Sequence, residues 1–299
     1  MSATAAQGTA RLGALDWAIA GALAALASFI WLRDPSWLGR GVPAEAGAPT
    51  LADSIPLFAA LPLFWLLGRP WRLQPPSHGG SNGALAGAAT CLALGVPTGL
   101  TLLLALGWTL LLWWWLAPRL GDDQRVRVRR LLILPLMAFP WVTLDGQGIG
   151  NVFRLTGAAT TAWFYDGLGY PVSREGTSVF IGDQQISVEA ACAGLNTLQS
   201  LLVMGTLAAG ITLGRHRRFW LSLPLLVIAA WVGNTARIIG IAAIALGFGA
   251  EAARGWAHDW GGWAVLMATF LGTAVIFEAM SPRRPSSPPP AATPPAGAG

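Results

Sequence analysis

Long apolar runs restrict the fold of this chain more than any other feature. The candidate membrane spans are residues 14–32, 52–67, 83–97, 99–117, 131–146, 192–213, 219–247 and 261–279. A helix needs about 20 apolar residues to cross a bilayer. The 299 residues are 54% hydrophobic and 11% charged, whereas a soluble domain is about 25% charged. The pattern predicts an all-α polytopic membrane protein with about eight transmembrane helices.

Two of these assignments depend on local detail. The apolar stretch 83–117 is too long for one tilted helix, so we divide it at Gly95–Gly99, where Pro97 and the glycines favour a tight turn. The run 14–32 follows Arg11 and ends in bulky residues instead of a small-residue cleavage site, so we expect a retained span and not a signal peptide.

Arginine placement sets the expected orientation. The sequence has no lysine, so all 19 basic residues are arginines. With the N-terminus inside, thirteen arginines fall in inner segments and five in outer ones, and Arg237 lies within a span. This asymmetry follows the positive-inside rule. It predicts a membrane protein with both termini in the cytoplasm. There is no nucleic-acid-binding motif.

The segments outside the spans have distinct compositions. The long outer segment 147–191 begins with an amphipathic, aromatic stretch that predicts a helix lying in the membrane interface. Residues 177–188 follow, and two short β-prone runs around Gly182-Asp183 predict a hairpin. We therefore expect a small extracytoplasmic helix-plus-hairpin insertion. The Pro- and Ala-rich tail 281–299 predicts a disordered cytoplasmic end after a single membrane domain, 1–280.

Cys192 is the candidate nucleophile. It opens the apolar run 192–213, so we expect it in the first turn of a helix at the membrane surface, where the helix dipole favours the thiolate. Cys91 lies in an Ala- and Leu-rich segment and is interpreted as a small buried hydrophobe. We expect no disulfide between the two. No Cys/His cluster has metal-ligand spacing, so no metal or other cofactor is expected.

Arg237 is an ionisable residue inside a predicted span, which by default indicates function. It lies about 27 Å along the helix from Phe219, in the outer leaflet, and Asn234 lies one turn earlier on nearly the same face. In the alternative interpretation, Arg237 extends to the surface or pairs with Asp145 or Glu189.

His258 lies at the outer entrance to the last span, among tryptophans. Its alternative role is that of an interfacial structural residue. Glu189 either caps the helix of Cys192 or orients a partner, and Asp259 either orients His258 or is simply solvated. A thiol, an imidazole and a guanidinium thus map to one membrane face, and together they supply the nucleophile, base and oxyanion-stabilising cation of acyl transfer.

These residues resemble the exosortase/archaeosortase family. The resemblance rests on Ala191-Cys192-Ala193-Gly194-Leu195, Asn234-Thr235-Ala236-Arg237 and His258, and it is strongest over 180–262. Family members often have Ser at the position of Ala193 and Arg at that of Asn196, which leaves the substrate subclass open.

The resemblance implies a cysteine peptidase or transpeptidase of the bacterial inner membrane, with its site on the extracytoplasmic face. Its substrates would be exported proteins that end in a short motif, a hydrophobic helix and an Arg-rich end. Cys192 would form a thioester, and a surface glycan, a lipid or water would resolve it. The rival function is a non-enzymatic transporter or an assembly scaffold for surface-polymer export, in which Arg237 binds a substrate. That alternative gives no role to the thiol and the imidazole.

Overall fold

The structure is a computed structural model that describes residues 13–34, 36, 55–76, 81–187, 195–214, 216–254 and 256–281. At positions 187, 196, 254 and 256–259 it describes the backbone alone. The fold is mostly helical, with one small sheet. Its helices are α1 (Ala14–Leu32), α2 (Ile55–Leu67), α3 (Asn82–Thr98), α4 (Thr101–Leu116), α5 (Asp122–Leu131), α6 (Ile133–Met137), α7 (Trp141–Asp145), α8 (Gln147–Gly167), α9 (Leu195–Thr212), α10 (Phe219–Phe248), α11 (Ala250–Arg254) and α12 (Trp256–Met280), and its strands are β1 (Val172–Glu175), β2 (Ser178–Ile181) and β3 (Gln184–Ser187).

The turn between α3 and α4 lies where the sequence places it. Gly99 ends α3 with φ +73°, and its N–H donates to the Gly95 carbonyl. Glycine adopts this left-handed conformation without the steric cost that other residues bear. The two helices then pack closely as a pair, with Leu92 of α3 lying against Gly107 of α4.

The prediction of one continuous helix over 131–146 is wrong, whereas a membrane crossing by this stretch stays a prediction. Two short helices, α6 and α7, occupy this stretch and are separated around Phe139-Pro140. Proline disfavours helical backbone at the residue before it and cannot donate a helical hydrogen bond. The broken segment is buried: Leu134, Phe139 and Val142 are each at most 1% exposed.

Four helical stretches are long and apolar enough to cross a membrane among the described residues: Ala14–Leu32, Thr101–Arg119, Phe219–Phe248 and Trp260–Met280. Residues 55–67 and 197–212 form shorter apolar helices. The total of eight spans therefore remains a prediction. The first and last of the four are the most exposed, with 11% of their apolar window buried against 39% in the other two.

The sheet packs against α8 and α10. Its three strands are antiparallel in the order β1-β2-β3, and Val179 pairs with Ile186 across the hairpin predicted at 177–188. Strand β1, at Val172–Glu175, was not predicted from the sequence. The inward side chains Val179, Ile181 and Ile186 share a hydrophobic core with Ala158 of α8 and Ile238 of α10.

Helix α8 occupies the stretch predicted to lie in the interface. Its buried side includes Phe153, Gly157 and Tyr165, whereas Trp163 is 75% exposed. The Tyr165 hydroxyl donates to the Ile239 carbonyl of α10 over 2.9 Å. The helix therefore packs one apolar side against α10 and leaves Trp163 exposed on the other, and its position in the membrane interface stays a prediction.

Candidate active site

Helix α10 carries Arg237 into contact with α12. Gly262 of α12 has no side chain, and a methyl group placed there would lie 3.3 Å from both Cζ and Nη2 of Arg237. The guanidinium therefore packs directly on the α12 backbone, where it is half-buried. The missing side chain at Gly262 makes the room for it.

The α12 backbone also positions His258. Residue 258 lies one helical turn before Gly262, so the two positions share a helix face. This is the face that meets Arg237. The His258 and Asp259 side chains are outside the described residues, so the approach of His258 to Arg237 and the orientation of His258 by Asp259 remain predictions.

The first residue of α9 lies at the same level. Leu226 of α10 packs on Gly205 of α9, which fixes the register of these neighbouring helices. Leu195 is ten residues from Gly205 and Arg237 is eleven from Leu226. These separations are about 15 and about 17 Å along the two helices. The start of α9 and the Arg237 backbone are therefore near one depth.

The residues just before Arg237 hold α10 tightly to its neighbours. A methyl group at Gly233 would lie 2.5 Å from Thr269 Oγ1 of α12. Asn234 is 2% exposed and Thr235 5% exposed. The Thr235 hydroxyl lies near Gly157 of α8. Close helix approach at small residues is typical of membrane bundles, and it leaves little freedom for this segment.

Cys192 and Glu189 lie in 188–194, outside the described residues. The chain on either side of this segment contacts α10: β3 ends at Ser187, and α9 begins at Leu195. The prediction that the thiol meets Arg237 is therefore untested.

Two polar residues near this level that have a buried nitrogen atom were not among the predicted site residues. Gln199, one turn into α9, is 2% exposed, and its Nε2 has no hydrogen-bond partner among the described residues. Arg154 of α8 was assigned to an outer segment by its position alone, yet its Nε is buried and similarly lacks a described partner. The signal for Gln199 was available, because a polar amide inside a predicted span indicates function.

Asp145 has a different role from the one considered for it. Its carboxylate accepts a hydrogen bond from the Leu102 backbone N–H at the start of α4. A carboxylate at a helix N-terminus is stabilised by the unpaired N–H groups there. The structure therefore assigns Asp145 to α4 and gives it no contact with Arg237.

The described part of the site is rich in hydrogen-bond donors. Arg237 contributes a permanent cation, and Asn234 and Gln199 contribute amide groups. Such a set suits the stabilisation of an oxyanion or the binding of a carbonyl group. No three His, Cys, Asp or Glu side chains stand close enough to share a metal ion in the described parts of the chain.

Tyr165 holds α8 against α10 beside this site. Burial raises the pKa of the Tyr165 phenol, and the nearby Tyr170 adds to the shift. The ordinary pKa of a tyrosine is about 10, so the phenol is neutral at physiological pH. It therefore remains a donor to the Ile239 carbonyl, two residues past Arg237.

Comparison with known proteins identifies the family of this chain. A model of the transmembrane exosortase family matches residues 13–275, which is most of the chain and includes every candidate site residue. No curated protein and no solved structure matches the chain.

Proposed function

Because this chain belongs to the transmembrane exosortase family, we propose that it is a membrane cysteine transpeptidase that acts on the C-terminal sorting signals of exported proteins. The observation that carries the proposal is the packing of the Arg237 guanidinium on Gly262, one turn from position 258. It brings a fixed cation to the helix face that carries position 258. A transporter or scaffold would need the cation, but it would not need a histidine one helical turn from the glycine on which that cation packs.

In the proposed reaction, the Cys192 thiolate attacks the peptide carbonyl of the substrate. His258 takes the thiol proton and then delivers it to the leaving amine, so that the C–N bond breaks and a thioester remains on Cys192. Arg237 stabilises the negative charge on the carbonyl oxygen, because a guanidinium does not lose its proton in proteins. An acceptor amine or hydroxyl, or water, then attacks the thioester and regenerates the thiol.

Covalent connectivity supports the position of the nucleophile. Cys192 precedes Leu195 by three residues. Three residues span at most about 11 Å. Since Leu195 lies near the depth of Arg237, this limit keeps the thiol near the same end of the bundle. The arginine pattern predicts that end to be extracytoplasmic.

The test is a comparison of Cys192→Ala with Cys91→Ala in membranes that contain a tagged substrate with a C-terminal sorting tail. We expect Cys192→Ala to insert normally and to abolish processing, because no other thiol takes its place. Cys91 lies half-buried in α3, so its variant should process the substrate normally.

Mass spectrometry of the trapped intermediate completes the test. The wild-type protein should carry the substrate fragment as a thioester on Cys192. A new C-terminus that bears the acceptor indicates transfer, and a free carboxylate indicates hydrolysis. Normal processing by Cys192→Ala would refute the nucleophile and with it the cysteine mechanism.

A further inference from the structure

A cleft with two arginines opens at the end of the bundle opposite Arg237. It lies where α2, α5, the end of α9 and the start of α10 meet. Arg127 and Arg130 of α5 line it three residues apart, so they lie on one helix face. Its described lining includes no Asp or Glu. The cleft is therefore strongly positive.

Arg130 is held in this cleft by its surroundings. It is only 7% exposed, and its Nη1 donates to the Gly214 carbonyl after α9. The guanidinium carbon lies 5.7 Å from the centre of the Phe219 ring, a cation–π arrangement. A cation at this depth attracts an anion strongly, because the surrounding protein and lipid screen charge poorly.

Arg127 is exposed at the mouth of the cleft. It donates one hydrogen bond, to the Arg69 carbonyl, over 2.9 Å. A guanidinium has five N–H groups, so most of those of Arg127 remain available to a ligand. Two guanidinium groups at one cleft, one buried and one at the mouth, match the several oxygens of a phosphate.

The rest of the cleft is apolar and faces the lipid. Leu67 and Ile211 line it, and Ile211 is 69% exposed. Gly210 has no side chain and leaves open space in the wall of the cleft, because a methyl group there would meet only Leu131 Cδ2, at 3.8 Å. The nearby Trp65 and Trp220 are 54% and 46% exposed, as expected for tryptophans at a membrane interface.

We propose that this cleft binds an anionic phospholipid, with the phosphate between Arg127 and Arg130 and an acyl chain along Leu67 and Ile211. The positive-inside pattern places this end at the cytoplasmic leaflet, where anionic lipids attract basic groups. The proposal is independent of the proposed catalytic mechanism. It concerns the opposite end of the bundle and none of the candidate catalytic residues.

The test measures lipid binding to the full chain by native mass spectrometry, with phosphatidylglycerol and phosphatidylcholine titrated separately. The wild-type protein should prefer phosphatidylglycerol. The double variant Arg127→Gln/Arg130→Gln should lose this preference by roughly 30-fold, the combined effect of two basic groups near an anionic surface. Arg129→Gln is the matched control, because Arg129 is exposed on the same helix and does not line the cleft.

A second variant shows whether a loss of lipid binding by the arginine variant is due to the cleft or to misfolding. Gly210→Leu retains both cations and fills the cleft, so it should also weaken phosphatidylglycerol binding. Excess inorganic phosphate should fail to displace the lipid, because it lacks the acyl chain. The proposal would be overturned if the double variant or Gly210→Leu bound phosphatidylglycerol as tightly as the wild-type protein does. It would also be overturned if inorganic phosphate displaced the lipid.

Discussion

The position of the Arg237 guanidinium depends on Gly262 of the neighbouring helix α12, because this residue has no side chain. Arg237 lies within α10, and the cost of a charge at that depth is reduced where the group reaches polar backbone or water. Gly262 provides this approach, because its missing Cβ lets the guanidinium reach the α12 backbone. The same glycine sets the distance between the cation and position 258.

Gly262→Ala should impair catalysis more than stability. The added methyl group would lie 3.3 Å from Arg237 Cζ and Nη2, so the guanidinium must shift. Misplacement of a catalytic group by about 1 Å costs up to about 100-fold in rate, and we expect a decrease on the order of tenfold in substrate processing.

Gly261→Ala is the matched control. A methyl group at Gly261 meets nothing within 4 Å, and both changes gain the same helix propensity. Initial rates of processing in membranes, normalised to protein level, measure the difference. Equal rates for the two variants would show that Arg237 does not need its present position.

Gln199 offers a test of whether a buried amide serves the substrate. Its Nε2 has no partner among the described residues, and such a group costs about 1–3 kcal/mol. Gln199→Leu removes this cost, so thermal unfolding in detergent should show a more stable protein. If the amide binds the substrate carbonyl, processing should decrease at least about tenfold. A stable and fully active variant would assign Gln199 no role in the reaction.

At the scale of the helix, α9 and α10 pack closely where Gly205 of α9 faces α10. Leu226 packs where Gly205 has no side chain. This contact fixes the depth of Leu195, and therefore the reach of Cys192, relative to Arg237. The packing of two helices thus determines the geometry of the proposed reaction.

Gly205→Ala should destabilise the protein. The methyl group would overlap the Leu226 side chain, and overpacking costs about 1–3 kcal/mol. Gly210→Ala on the same helix is the control, because its methyl group would lie 3.8 Å from Leu131 Cδ2, an ordinary contact. Midpoints of thermal unfolding in detergent compare the two. If both variants unfold at the same temperature, the α9–α10 contact does not limit stability.

Much of the helical pattern was predictable because apolar runs and glycine turns are local features. Helix α1 matches its predicted range, α10 matches within one residue, and Gly99 ends α3 inside the predicted turn. The exception, 131–146, shows the limit of hydropathy: its composition is mostly apolar, but Pro140 interrupts the helix. Strand β1 is short and exposed, so it has little alternation from which to predict it.

The site was less predictable than the helices. Arg237 and Asn234 were identified because polar residues are rare in spans. The contact between Gly262 and Arg237 depends on how α10 and α12 are rotated and aligned relative to each other. The local sequence pattern of a helix does not give its rotation or its alignment with another helix. The same applies to Arg154, whose position in a predicted outer segment gave no sign that its Nε is buried.

At the scale of the whole molecule, orientation can be tested by cysteine labelling in a background without Cys91 and Cys192. The arginine pattern places Arg174, exposed on β1, outside the membrane and Asp123, exposed at the start of α5, inside. A membrane-impermeant maleimide should therefore label Arg174→Cys in intact cells and Asp123→Cys only after permeabilisation. The reverse pattern would invert the topology and move the proposed site to the cytoplasmic face.

The small buried fraction of α12 has a consequence for the proposed enzyme. Only 11% of its apolar window is fully buried, so one side of the helix that carries position 258 is exposed to acyl chains. A bilayer that is thicker or thinner than the helix is matched by tilting or by local deformation of the lipid. Tilting of α12 would move the imidazole relative to the better-buried α10. Catalytic rate should therefore vary with acyl-chain length, which couples the chemistry of this protein to the composition of its membrane.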